Sequence, residues 1–145
     1  MLLKASGMFV VVPEDARINL DDDFCRYYRK LVLDYYMESP EELQLPKYGA
    51  HITVVSKKIH RGVDTGRIDY YHNTVVDFQY DNNILKGGTK FTTYYAHVEC
   101  FFAEFIKRKL GVVEDDSFLG LHICVCNNKS IWKNYANEKI HVPTG

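Results

Sequence analysis

Two histidines, each followed two residues later by a small hydrogen-bonding side chain, are the strongest chemical signal in this chain. His51 lies in Gly49-Ala50-His51-Ile52-Thr53-Val54, and His122 lies in Gly120-Leu121-His122-Ile123-Cys124-Val125, 71 positions further on. Four of the six positions are identical. Both phrases have the composition of a strand, and strand side chains alternate between faces. His51 and Thr53 therefore share one face, as do His122 and Cys124, while the isoleucines and valines take the other. Imidazole is the side chain that titrates near neutral pH, with an ordinary pKa of about 6.5. Two imidazoles flanking a phosphodiester can divide the work, one taking the proton of the attacking oxygen and the other protonating the leaving oxygen. The Thr53 hydroxyl and its counterpart can bind the non-bridging oxygens, where charge develops. This chemistry needs neither metal nor cofactor. The competing explanation is two core strands that share a pattern without a shared function.

The elements that would position these residues follow from hydrophobic spacing. Ser6 to Val12 is an apolar run ending at Pro13 and predicts a buried first strand. Asp21, Asp22 and Asp23 offer an N-cap and favourable first-turn charge. Phe24, Tyr27, Tyr28, Leu31, Val32 and Tyr35 then mark the apolar face of a helix that ends at Ser39-Pro40. The first histidine strand is expected at about His51 to Ser56, followed by a loop from Lys57 to Gly66. Thr74 to Tyr80 sets Val75, Asp77 and Gln79 against Val76, Phe78 and Tyr80, as a half-buried strand does. Asp81-Asn82-Asn83 and Gly87-Gly88 predict turns. Phe91 to Val98 reads better as a strand than as a helix start, with Tyr94, Ala96 and Val98 on one face and Tyr95 and His97 on the other. A helix with Phe101, Phe102, Phe105, Ile106 and Leu110 follows, ending in Lys107-Arg108-Lys109 and Gly111. The second histidine strand is expected at about Leu119 to Cys126, with a turn at Asn127-Asn128-Lys129. The expected fold class is α+β: one domain over residues 1–145, antiparallel sheets flanked by helices. Each half delivers a helix and then a histidine strand, so two similar lobes should meet at a pseudo-two-fold cleft.

Bulk properties narrow the function further. A chain of 145 residues is one domain by its length. No apolar run reaches the roughly 18 residues of a membrane span, and the N-terminus lacks the features of a signal peptide, which favours the cytoplasm. A net charge of −1 argues against a grip on long duplex nucleic acid and for a small ligand. Cys25, Cys100, Cys124 and Cys126 read as reduced thiols. C-x-C at 124–126 would point both thiols one way, a poor disulfide and not a zinc signature.

The paired motifs and the element order resemble the 2H phosphoesterase superfamily, the LigT-like fold, from the first strand to Cys126. Its hallmark is two H-x-[T/S] motifs. His51 and Thr53 match the first; His122 matches the second, with Cys124 where the family has Thr or Ser. The resemblance implies a metal-independent, cofactor-free phosphodiesterase acting on a small nucleotide. The short length and motif spacing look most like the compact viral members. For those, the resemblance implies degradation of cyclic oligonucleotide second messengers of antiviral immunity, such as those of CBASS, in the host cytoplasm. An RNA-end enzyme opening 2′,3′-cyclic phosphates or cleaving 2′–5′ linkages is the alternative. Cys124 motivates a third reading, a nucleotide-binding sponge, because a thiol is a weaker hydrogen-bond donor than a hydroxyl.

Phe9 and Tyr48 are candidates to stack on a nucleobase, and core or rim packing is the competing role. Trp132 is a candidate lid residue in a tail of unassigned structure. Lys47, Lys57 and Lys129 lie near the motif strands and can attract phosphate. His97 is expected to face the cleft. His60, His72 and His141 receive no role.

Overall fold

The computed structural model describes residues 1–13, 15–56, 60, 62–88, 90–112 and 119–130. Lys57, Trp132 and His141, considered above, lie outside the described residues. Among the described residues there are seven strands and two α-helices: β1 Leu2–Val11, β2 Asp15–Asn19, α1 Asp23–Tyr35, β3 His51–Ser56, β4 Thr74–Asp81, β5 Leu85–Gly87, β6 Thr93–Glu99, α2 Phe101–Lys109 and β7 His122–Asn127. Two 3₁₀ turns, Pro40–Glu42 and Thr65–Tyr71, complete the set. The class is α+β with antiparallel strands, as the sequence implied.

The strands form one sheet, not two. Its order is β4-β1-β2-β3-β7-β6-β5, and β4 also pairs with β6. Six strands therefore close into a barrel, with β5 appended to the free part of the β6 edge. Closure removes exposed strand edges. The ring has an internal correspondence. β1-β2-β3 come from the first half of the chain and β4-β6-β7 from the second, and the halves join through β3–β7 and β1–β4. At the β3–β7 join Ile52 pairs with Ile123, the same position of the two repeated phrases. The ladders β2–β3 and β6–β7 each carry one register shift, at Ala16/Arg17 and at Tyr94/Tyr95.

The interior is built from alternate strand residues. Phe9, Ile18, Ile52, Val55, Tyr94, Ala96, Ile123 and Val125 are all fully buried. Burying a side chain the size of Ile contributes roughly 1.5–3 kcal/mol. The helices tie the halves together: α1 packs on β7, and α2 packs on β3 as well as on β4 of its own half. The inward-facing tyrosine hydroxyls are paired, that of Tyr28 lying 2.8 Å from that of Tyr80 and that of Tyr94 donating to Glu38 at 2.7 Å.

Several expectations change. β1 starts at Leu2 rather than Ser6. β2 was hidden because Asp15-Ala16-Arg17-Ile18-Asn19 has only two apolar residues, both fully buried. β5 was likewise hidden in what read as a turn; Gly88 after it has φ +113°. The buried stripe of α1 is Cys25, Tyr28 and Val32, while Tyr27, Leu31 and Tyr35 face solvent. In α2 the buried residues are Ala103 and Ile106, and Phe101 is 93% exposed. The register shift opposite Val125 turns Cys126 into the core, so Cys124 and Cys126 do not point the same way. All four cysteines are unpaired in disulfide terms.

Burial also sets an alkaline limit. It pushes the Cys25 and Cys126 thiols up to about 12, and it raises Tyr28 and Tyr94, each assisted by a hydrogen bond to its partner. In the unfolded chain cysteines ionise near pH 8.5 and tyrosines near pH 10. Above about pH 8.5 the fold therefore binds more protons than the unfolded chain, and stability falls as pH rises. The thermal midpoint should decline progressively from pH 8.5 to 11. A midpoint that stays level across that range would contradict this account of the core.

Candidate active site on the outer face of the barrel

The two histidine strands are neighbours. β3 spans His51–Ser56 and β7 spans His122–Asn127, with the same succession of half-buried and buried positions. Ile52 pairs with Ile123. Stepping one residue either way along this antiparallel register sets His51 opposite Cys124 and Thr53 opposite His122, all on the face away from the core. Directly opposed residues have Cβ atoms about 4.5–5.5 Å apart, and diagonal neighbours about 7–8 Å. The two imidazoles are such a diagonal pair. That spacing suits one phosphate held by hydrogen bonds of about 2.8 Å from both sides.

The flanking strands extend the face. On β2, Asn19 pairs with His51 and Arg17 with Thr53. On β6, Tyr95 pairs with Cys124 and His97 with His122. Two rows of four polar side chains therefore cross the barrel: Asn19, His51, Cys124 and Tyr95, then Arg17, Thr53, His122 and His97. The sequence pointed to His51, Thr53, His122, Cys124 and His97, and these come together. Arg17, Asn19 and Tyr95 were not anticipated; the alternation of Arg17 and Asn19 against Ala16 and Ile18 was the available signal.

Each histidine is held by its own strand entry. His51 Nδ1 lies 2.8 Å from the Gly49 carbonyl oxygen, and His122 Nδ1 lies 2.7 Å from the Gly120 carbonyl oxygen. A carbonyl only accepts, so Nδ1 carries the hydrogen in both rings, and Nε2 is the nitrogen left to exchange protons. Both glycines have positive φ, +79° and +67°, which turns their carbonyls back towards the rings. The first entry is also tied to the start of α1, where Asp22 Oδ1 accepts from the Ala50 amide at 2.9 Å.

The remaining members differ between the halves. Arg17 donates to both carboxylate oxygens of Asp15, at 2.9 and 2.8 Å, and its guanidinium lies 5.8 Å from the centre of the Tyr48 ring. Lys47 lies 5.4 Å from the same ring. Tyr48 is thus an exposed aromatic flanked by two cations, Arg17 and Lys47. Tyr95 meets His122 edge to face, with ring centres 5.7 Å apart. The Thr53 hydroxyl has no internal partner among the described residues. Cys124 is different. Burial raises its thiol above the usual range, with a hydrogen bond from Asn127 opposing, so it stays protonated at neutral pH. Its hydrogen is directed along its own strand to the Cys126 carbonyl, at 3.9 Å.

Phe9 requires correction. It is fully buried, with its ring edge against Phe102 at 5.0 Å, and it presents no surface to a base. Lys129 lies 5.6 Å from the Phe91 ring centre, beyond the end of β7. His72 Nδ1 accepts from the Val11 amide at 3.0 Å, and His60 Nδ1 accepts from the Ser56 amide at 3.3 Å, so both serve the backbone. No cluster of metal-ligating side chains occurs among the described residues. No helix among them is long and apolar enough to cross a membrane. Comparison with protein-family models, curated proteins and solved structures finds no match.

The two glycines should not be equally replaceable. An added Cβ at Gly49 would lie 2.7 Å from Asp22 Oδ1, whereas at Gly120 the nearest neighbour is His97 at 3.9 Å. Gly120→Ala should cost about 1–2 kcal/mol from backbone strain alone. Gly49→Ala should cost more, because the Asp22–Ala50 bond must also shift. Urea unfolding of both variants measures this; equal costs would mean that Asp22 yields freely.

Proposed function

We propose that this protein is a metal-independent phosphodiesterase of the 2H type, acting on the phosphodiester of a small nucleotide, with cyclic oligonucleotide messengers as the leading substrate class. On this reading the barrel is the two-lobed 2H arrangement, with β1-β2-β3 and β4-β6-β7 as its lobes and the β3–β7 join as its cleft. The observation that carries the proposal is the matched pair of histidines, each with Nδ1 anchored on a glycine carbonyl and the two on adjacent strands. Such anchoring fixes the tautomer that acid–base catalysis through Nε2 requires.

The proposed reaction begins with one imidazole neutral and the other protonated. The neutral ring takes the proton of the substrate's 2′-hydroxyl as that oxygen attacks phosphorus. The protonated ring gives its proton to the departing 5′-oxygen as the P–O5′ bond breaks. The products are a 2′,3′-cyclic phosphate and a free 5′-hydroxyl, and the two rings have exchanged protonation states. Water then opens the ring phosphate with the roles reversed: its proton goes to the ring that is now neutral, and the 2′-oxygen leaves with a proton from the other. Thr53 donates to a non-bridging oxygen throughout. On the opposite side the Cys124 thiol is a poor donor, and Tyr95 and His97 border that half-site instead.

Each histidine is expected to matter equally. His51→Ala and His122→Ala should each lower turnover by about 10²–10⁴-fold. The assay uses EDTA-treated protein with a 3′,3′-linked cyclic trinucleotide, 2′–5′ oligoadenylate and a 2′,3′-cyclic mononucleotide. Loss in one variant only would refute the two-histidine mechanism. Retention of intact nucleotide without turnover would make the protein a binding module.

A further inference from the structure

A groove of about 1420 Å³ opens on the same outer face, beside the second half-site. It lies between α2 and the β1, β4 and β6 strands, with His97 and Gly120 at one end. Both residues belong to the surroundings of His122: His97 is its cross-strand partner, and the Gly120 carbonyl holds its Nδ1. From His97 the outward face continues two residues along β6 to Glu99. Glu99 pairs with Gln79 on β4, and Gln79 pairs with Lys4 on β1. The groove is thus an uninterrupted extension of the polar face.

Its size and lining indicate what it takes. Ligand pockets for drug-sized molecules are typically about 300–1,000 Å³, so this one exceeds the need of a single nucleotide. Phe101, at 93% exposure, stands on its α2 wall. A large aromatic ring left in solvent at the first position of a helix gains nothing from burial and offers a stacking platform. Lys4 and Arg108 supply cations for a phosphate, while Asp77 and Glu99 supply acceptors for base amino groups and ribose hydroxyls. Opposite charges in similar number suit nucleosides joined by single phosphates and disfavour a long polyanion.

We infer that this groove is a nucleoside subsite: it holds the nucleotide unit adjoining the scissile phosphate on the His122 side, with its base against Phe101, so that an oligonucleotide of at least two units is turned over more efficiently than a 2′,3′-cyclic mononucleotide. The inference rests on the phosphodiesterase reading, and its test separates the two. Phe101→Ala and Arg108→Glu alter exposed positions of α2, and Tyr70→Ala removes an aromatic that is 91% exposed outside the groove. Thermal midpoints, measured beforehand, should match that of the parent in all three. The first measurement is kcat/KM for the 3′,3′-linked cyclic trinucleotide relative to that for the 2′,3′-cyclic mononucleotide. This ratio should fall at least tenfold in the two groove variants, mainly through KM, and stay constant in Tyr70→Ala. The second is equilibrium binding of the fluorescently labelled cyclic trinucleotide in a His51→Ala background, where Phe101→Ala should weaken affinity by a similar factor. An unchanged ratio and unchanged affinity would overturn the subsite while leaving the phosphodiesterase intact. Loss of affinity in a protein that turns over neither substrate would uphold the subsite and overturn the enzyme.

Discussion

The pairing of Ile52 with Ile123 is the contact on which the candidate site depends. Both side chains are fully buried and join the two halves of the chain across the barrel. A slip of one residue would expose one isoleucine and bury a histidine, because strand side chains alternate. The hydrophobic demand of the core thus fixes the register, and the register fixes which polar residues oppose one another on the outside. His51 meets Cys124 and Thr53 meets His122 because their buried neighbours have only one acceptable alignment.

The rest of the barrel reinforces that alignment twice over. Packing of α1 onto β7, and of α2 onto β3 as well as β4, means that each half contributes to the core of the other. The strand entries repeat as well: the Leu20 amide donates to the Ala50 carbonyl and the Val98 amide to the Leu121 carbonyl, each at 2.9 Å. These bonds set the residue before each histidine, while the glycine before that aims its carbonyl at the ring. The imidazoles are oriented by backbone, which is harder to perturb than a side-chain network.

Within this near-symmetry the two half-sites differ in chemistry. The first has Thr53, with Arg17 beside it already committed to Asp15. The second has the Cys124 thiol turned to the backbone, with Tyr95 and His97 at the matching positions of β6. The groove opens on the second side. Asymmetry of this kind gives a near-symmetric scaffold a direction, so that the two ends of the polar face present different groups.

Much of this was legible locally. The bounds of β3, the start of α1, both faces of β4 and β6, and the glycine stop after α2 all follow from short-range periodicity and end signals, since these involve neighbours in sequence; α1 stops at Tyr35, a turn short of the Ser39-Pro40 signal. β2 and β5 were not legible, because a five- or three-residue strand with few apolar positions gains its stability from partners far along the chain. The apolar face of α1 is narrower than its spacing implies: Tyr27, Leu31 and Tyr35 have the chemistry of core residues, as does Phe101 on α2, and only the packing around them leaves them in solvent. The sequence by itself determined the repeated histidine motif, its strand, and the side on which each histidine stands. Tertiary structure alone decided that the two strands are neighbours, that Arg17, Asn19 and Tyr95 join them, that Phe9 is core, and that a bulge separates Cys126 from Cys124. The reason is physical: alternation is a property of one strand, whereas register, closure and burial are set by the packing of the whole barrel.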